Sequence, residues 1–93
     1  MADLDPSRRF GENVMVYRRR AGLSQEELGF RASLHRTEIS QLERGVRLPR
    51  LDTIIKLAGG LKVEPGELLR GIKWRPGRFA NGRFDVSEPR RGA

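Results

Sequence analysis

The sequence predicts an all-α domain of five short helices followed by an extended or β tail. Apolar residues recur at helical spacing in short runs, those runs are bounded by capping residues, and the helical period vanishes after Leu69. The organisation that follows is a helical domain over 1–69 and a basic, aromatic extension over 70–93. A chain of 93 residues supports one small core of this kind.

The first helix opens at Asp5-Pro6, a capping residue followed by proline at the first helical position. Phe10, Val14, Tyr17 and Ala21 then share one face until Gly22 stops the helix. Residues 24–27, SQEE, form a capping box in which Ser24 caps and Glu27 reaches back. That box starts a short second helix with Leu28 and Ala32 inward. The third helix runs from about 35 to 44 and ends at Gly45. In the fourth, Leu51, Ile54, Ile55 and Ala58 make the apolar face, and Gly59-Gly60 weaken its end. A fifth turn begins at Glu64-Pro65 and has Leu68 and Leu69 to bury.

Function classes narrow quickly. The chain has no cysteine and one histidine, so it offers no thiolate metal cluster and no Cys/His pair, and neither a metal nor a cofactor is expected. Ser24 and Ser40 have no partner base nearby in sequence, which argues against an enzyme. No apolar run approaches the ~18–20 residues of a membrane span, so a cytoplasmic protein is expected. The net charge of +7 points to a polyanionic partner. Residues 24–69 are nevertheless neutral, with seven basic and seven acidic groups, while 70–93 carry seven basic against two acidic. A binding role for the middle of the chain must therefore rest on arrangement.

The stretch LHRTEISQLERG, residues 34–45, supplies that arrangement. Taking Ile39 as origin and about 100° per residue, His35, Leu42 and Glu43 fall within about 60° of it. Thr37, Gln41 and Arg44 fall about 140–200° away, with Ser40 at about 100°. The outward face is thus rich in side chains that bond base edges and phosphates, and Arg36 stands in the first turn, the end that docks deepest. Only Ser33-Leu34 separate this helix from the capped one before it. Two short helices across so tight a turn read as a helix-turn-helix.

Residues 24–69 resemble the phage-repressor-like (Xre-type) helix-turn-helix family, through QEEL, IS..ERG and the L.T...LA pattern, and LHRTEISQLERG is especially similar to restriction–modification controller proteins. The resemblance covers roughly 8–69 and implies a five-helix phage-repressor-like domain in a bacterial transcription regulator that binds double-stranded DNA, usually as a homodimer. It implies base readers at Arg36, Thr37 and Gln41 and a phosphate grip at Gln25, and Ser40, Arg44, Arg47 and Arg50 are expected to join Gln25 on the phosphates. It also implies a structural ion pair between Arg18 and Glu43. Three positions depart from the pattern: Ser33 where the turn usually has Gly, His35 where a capping Ser is usual, and Arg50, which cannot cap the fourth helix.

The resemblance does not reach the tail. Asn81-Gly82 is a hairpin signal whose two-residue turn would pair Phe79 with Phe84, while Ile72 and Trp74 alternate as in a strand. Extended structure is expected to about Val86 and disorder after Pro89. Trp74, Phe79 and Phe84 are half of the six aromatics and are costly to leave in water. With Ile72 and Val86 they would hold a homodimer together, pack back on the helices, or clasp another protein through residues 70–88. The last option fits an antitoxin or adaptor built on the same fold.

Overall fold

The computed structural model describes residues 5–87. Helix α1 spans Pro6–Arg20, α2 Gln25–Ala32, α3 Arg36–Glu43, α4 Leu51–Leu61 and α5 Pro65–Leu68, and the strands β1 (Ile72–Arg75) and β2 (Arg83–Val86) close the chain as an antiparallel hairpin. Asp5 caps α1 by accepting from the Ser7 amide, with Pro6 at the first position as expected. The core gathers Phe10 and Val14 of α1, Leu28 of α2, Ile39 and Leu42 of α3, and Leu57 of α4. Those residues come from four helices, so each helix is placed by burying its apolar stripe against the others.

Three sequence expectations about the helices change. Ala21 is the exposed C-cap of α1, because Gly22 takes a left-handed conformation (φ 72°) and turns the chain away there. In α4 the buried residues are Thr53, Leu57, Ala58, Gly60 and Leu61, while Leu51 and Ile55 are 76% and 52% exposed. The apolar stripe lies one residue further round than the Leu51–Ile55 spacing suggested. Gly60 explains the rotation: a Cβ there would stand 3.3 Å from the Ala32 amide nitrogen, so α4 crosses α2 at this glycine and continues to Leu61. In α5, Leu68 is buried but Leu69 is not.

The hairpin also differs. Its connection is 76–82, and Asn81-Gly82 does not form a two-residue turn. Pro76 has no N–H and ends the first strand, and the loop closes through an Asn81 amide to Arg78 carbonyl bond of 2.8 Å. Gly82 lies instead beneath the Trp74 ring, where a Cβ would collide with the indole. Trp74 pairs with Phe84 and Ile72 with Val86, whereas Phe79 is unpaired in the loop, fully exposed at φ 55°. The disorder expected after Pro89 lies outside the described residues.

Candidate nucleic-acid interface

The turn between α2 and α3 is built from local chemistry. Ser24 Oγ accepts from the Glu27 amide at 3.0 Å and Glu27 Oε1 accepts from the Ser24 amide at 2.8 Å, completing the capping box. The Ser24 amide, with the Ser24 side chain beside it, holds the Glu27 carboxyl below its ordinary range. Ser33 takes the left-handed conformation usual for glycine (φ 56°, ψ 43°), at a strain of about 1 kcal/mol. The room for the turn comes from Gly29, whose missing Cβ would lie 2.5 Å from the Leu34 carbonyl oxygen. His35 is the N-cap of α3: its Nδ1 accepts from the Thr37 amide at 3.1 Å, which requires an unprotonated Nδ1. The imidazole therefore does the work of the absent serine.

On α3 the outward face carries the expected groups. Arg36 and Thr37 are exposed in the first turn, Ser40 and Gln41 are half-buried, and Arg44 is the exposed C-cap. Beyond it, the Gly45 amide bonds the Leu42 carbonyl and the Val46 amide bonds the Gln41 carbonyl, both at 3.1 Å. With Gly45 at φ 73° this is a Schellman ending, and it reverses the chain over the helix. The reversal brings Arg47 back to α3, where its Nη1 donates to Gln41 Oε1 at 3.0 Å. Arg50 makes no cap for α4 and instead stands 3.3 Å from Asp52.

Behind α3 lies a buried brace. Arg18 donates to Glu43 through Nε (2.6 Å) and Nη2 (3.0 Å), and through Nη1 to the Leu23 carbonyl (2.9 Å). The Glu43 side chain is 1% exposed. Its hydrogen bond pushes the Arg18 guanidinium further above its ordinary range, against the opposite pull of burial. Gln25 Nε2 also donates to Glu43 Oε1, at 3.0 Å, so one carboxylate ties α1, α2 and α3 together. Gln25 keeps a second amide hydrogen beyond that bond. Gly11 completes the brace, since a Cβ there would overlap the Leu42 and Glu43 carbonyls.

Sequence reasoning missed one polar cluster. Arg9 and Asn13, one turn apart on α1, are both buried. Arg9 donates to Asn13 Oδ1 (3.1 Å), the Arg70 carbonyl (3.2 Å) and the Ser87 carbonyl, while Asn13 Nδ2 donates to the carbonyls of Leu68 (2.9 Å) and Arg70 (3.0 Å). Together they fasten both strands of the hairpin to α1. The signal was their i, i+4 spacing beside Phe10 and Val14. Val86 is buried and Ile72 packs on the core, so the apolar face of the hairpin is covered at its root. Further out, Trp74 and Phe84 meet edge to face at 5.1 Å and remain about half exposed. The opposite face holds Lys73, Arg75, Arg83 and Asp85, with Arg75 bonded to Asp85 at 2.6 Å and holding that carboxyl below its ordinary range.

Residues 14–68 match the family model described as helix-turn-helix. Over 61 residues the chain is 46% identical to the control protein C.BamHI of Bacillus amyloliquefaciens, covering 64% of this chain and 75% of the relative. The crystal structure of the restriction–modification controller protein C.AhdI from Aeromonas hydrophila is similar at 43% identity and a TM-score of 0.65, covering 73% of this chain and 98% of that one. The P22 c2 repressor, solved in complex with a synthetic operator, matches at 29% identity and a TM-score of 0.62, over 67% of this chain and 94% of the repressor. The family match ends at residue 68, before the hairpin. This chain belongs to the helix-turn-helix family, with the phage-repressor-like fold.

Proposed function

We propose that this protein is a sequence-specific, double-stranded DNA-binding transcriptional regulator of the bacterial cytoplasm that acts as a homodimer. The observation that carries the reading is the donor-rich outward face of α3, held rigidly on the Arg18–Glu43–Gln25 brace. Helix α3 enters the major groove, with Arg36, Thr37 and Gln41 at base edges. Ser40, Arg44, Arg50 and the free amide hydrogen of Gln25 take phosphates beside it. Kinship with control proteins of restriction–modification systems and with a repressor solved on its operator supports regulation as the purpose of that binding. No described helix is long and apolar enough to cross a membrane.

One domain of this size covers a few base pairs, so tight and specific binding calls for two copies on two half-sites. Selection from random duplexes at fixed salt is expected to enrich two inverted half-sites about one helical turn apart. Arg36→Ala should weaken selected-site binding by ~1–3 kcal/mol and leave random DNA nearly unaffected. Equal losses on both DNAs would move Arg36 to the phosphate group, and enrichment of no motif would defeat the proposal.

A further inference from the structure

Gln41 lies at the middle of the outward face of α3, and its amide can show a base edge an acceptor, donors, or both. An unconstrained glutamine pairs best with adenine, accepting from N6 and donating to N7. Here the amide is constrained. The Schellman ending at Gly45 carries Arg47 back along the helix, and its Nη1 donates to Gln41 Oε1 at 3.0 Å. The Nη2 of the same guanidinium stands 3.7 Å from Oε2 of Glu38, three residues before Gln41 on α3. A guanidinium has donors only, so the amide oxygen faces it and commits one of its two lone pairs there, while the two amide hydrogens face away. Glu38, with its side chain 24% exposed, gives the half-exposed guanidinium a second charged neighbour that favours this position over a phosphate.

We infer that Arg47 is a positioning residue for base readout and that the Glu38–Arg47–Gln41 set biases Gln41 toward reading bases with its amide hydrogens. Its two amide hydrogens match guanine, whose major-groove edge carries the acceptors O6 and N7, better than adenine. The spare N–H groups of Arg47 add further donors beside the same edge. This inference rests on the DNA-reading function and assigns Arg47 a role other than the phosphate contact expected from the sequence.

The test is parallel site selection with the wild type, Gln41→Ala, Arg47→Ala and Glu38→Gln, together with the salt dependence of binding for each. Gln41→Ala identifies the base pair that Gln41 faces. The wild type is expected to prefer guanine there, and both Arg47→Ala and Glu38→Gln should lower the guanine-over-adenine ratio at that position about tenfold. Preferences at the remaining positions should persist in both variants. A phosphate contact behaves differently: Arg47→Ala would keep every base preference and make the salt slope shallower by about one. That outcome, or an adenine preference in the wild type, overturns the inference while the DNA-reading function stands. If the wild type selects no sequence at all, both fall together.

Discussion

Helix α3 and the C-terminal hairpin are both secured to α1, but in different ways. Helix α3 is held along its inner side by Ile39, Leu42 and the buried Glu43, and Gly11 lets the two helices approach to backbone contact. The hairpin is held only at its base, by Arg9, Asn13, Ile72 and Val86, and its outer half carries exposed aromatic and basic side chains. An ion pair closed on every side fixes one position for the helix that it carries. A polar anchor at one end fixes where a hairpin leaves the domain and leaves its far end available to something else. The contrast predicts that damage to the brace spreads through the whole domain, while damage to the hairpin base remains local.

The largest effect should come from the brace. Glu43→Leu strands the Arg18 guanidinium among buried groups and leaves Gln25 without its acceptor, at an expected cost of about 3–5 kcal/mol. The double change Arg18→Met with Glu43→Leu replaces the pair by apolar groups of similar volume and should recover much of that loss. A thermal melt of Arg18→Met, Glu43→Leu and the double variant measures this directly. Single variants melting within a degree of the wild type would show that the brace contributes no more than a surface pair.

A smaller and more local loss is expected at the hairpin base. Arg9→Met keeps the buried stem but removes the donors to the Arg70 and Ser87 carbonyls, a cost of about 1–3 kcal/mol. Amide exchange in β1 and β2 should speed up while α2, α3 and α4 keep their protection. If the helices lose protection equally, the hairpin is part of the cooperative core and the contrast drawn above fails.

Much of the helical domain was legible because its signals are local. Asp5-Pro6, the SQEE box and Gly45 each act within one turn of chain, and the helices begin and end beside them. What escaped the sequence depends on residues far apart. The one-residue rotation of α4 follows from Gly60 meeting α2, a contact across 28 positions that periodicity within α4 does not register. The hairpin went wrong for a related reason: Asn-Gly is a local turn signal, but the Trp74 ring claims the space over Gly82 and Pro76 ends the strand early. The outward face of α3 was readable from its angles alone. The fold-back of Arg47 was not, since it needs the reversal at Gly45 as well as the spacing of Glu38 and Gln41.

The smallest effect on stability, and the sharpest on assembly, should come from the exposed apolar surfaces. The expected dimer surface on the tail is reduced, because Ile72 and Val86 face their own core and only Trp74, Phe84 and the loop residue Phe79 remain outside. A second surface was not anticipated: Leu48, Leu51 and Ile55 are all more than half exposed where the 44–50 loop enters α4. That loop bears Arg44, Arg47 and Arg50, so this surface adjoins the edge expected to meet DNA, where copies on neighbouring half-sites come together. Trp74→Ser with Phe84→Ser, and separately Leu51→Ser with Ile55→Ser, replace side chains at least half exposed and should each cost no more than about 1–2 kcal/mol. Sedimentation at micromolar concentration then locates the interface. If the hairpin joins the copies, only the first pair yields monomers; if the start of α4 does, only the second. Should neither pair alter the sedimentation of a dimeric wild type, the hairpin is left free at its tip, and its Lys73, Arg75 and Arg83 become the groups to test against DNA.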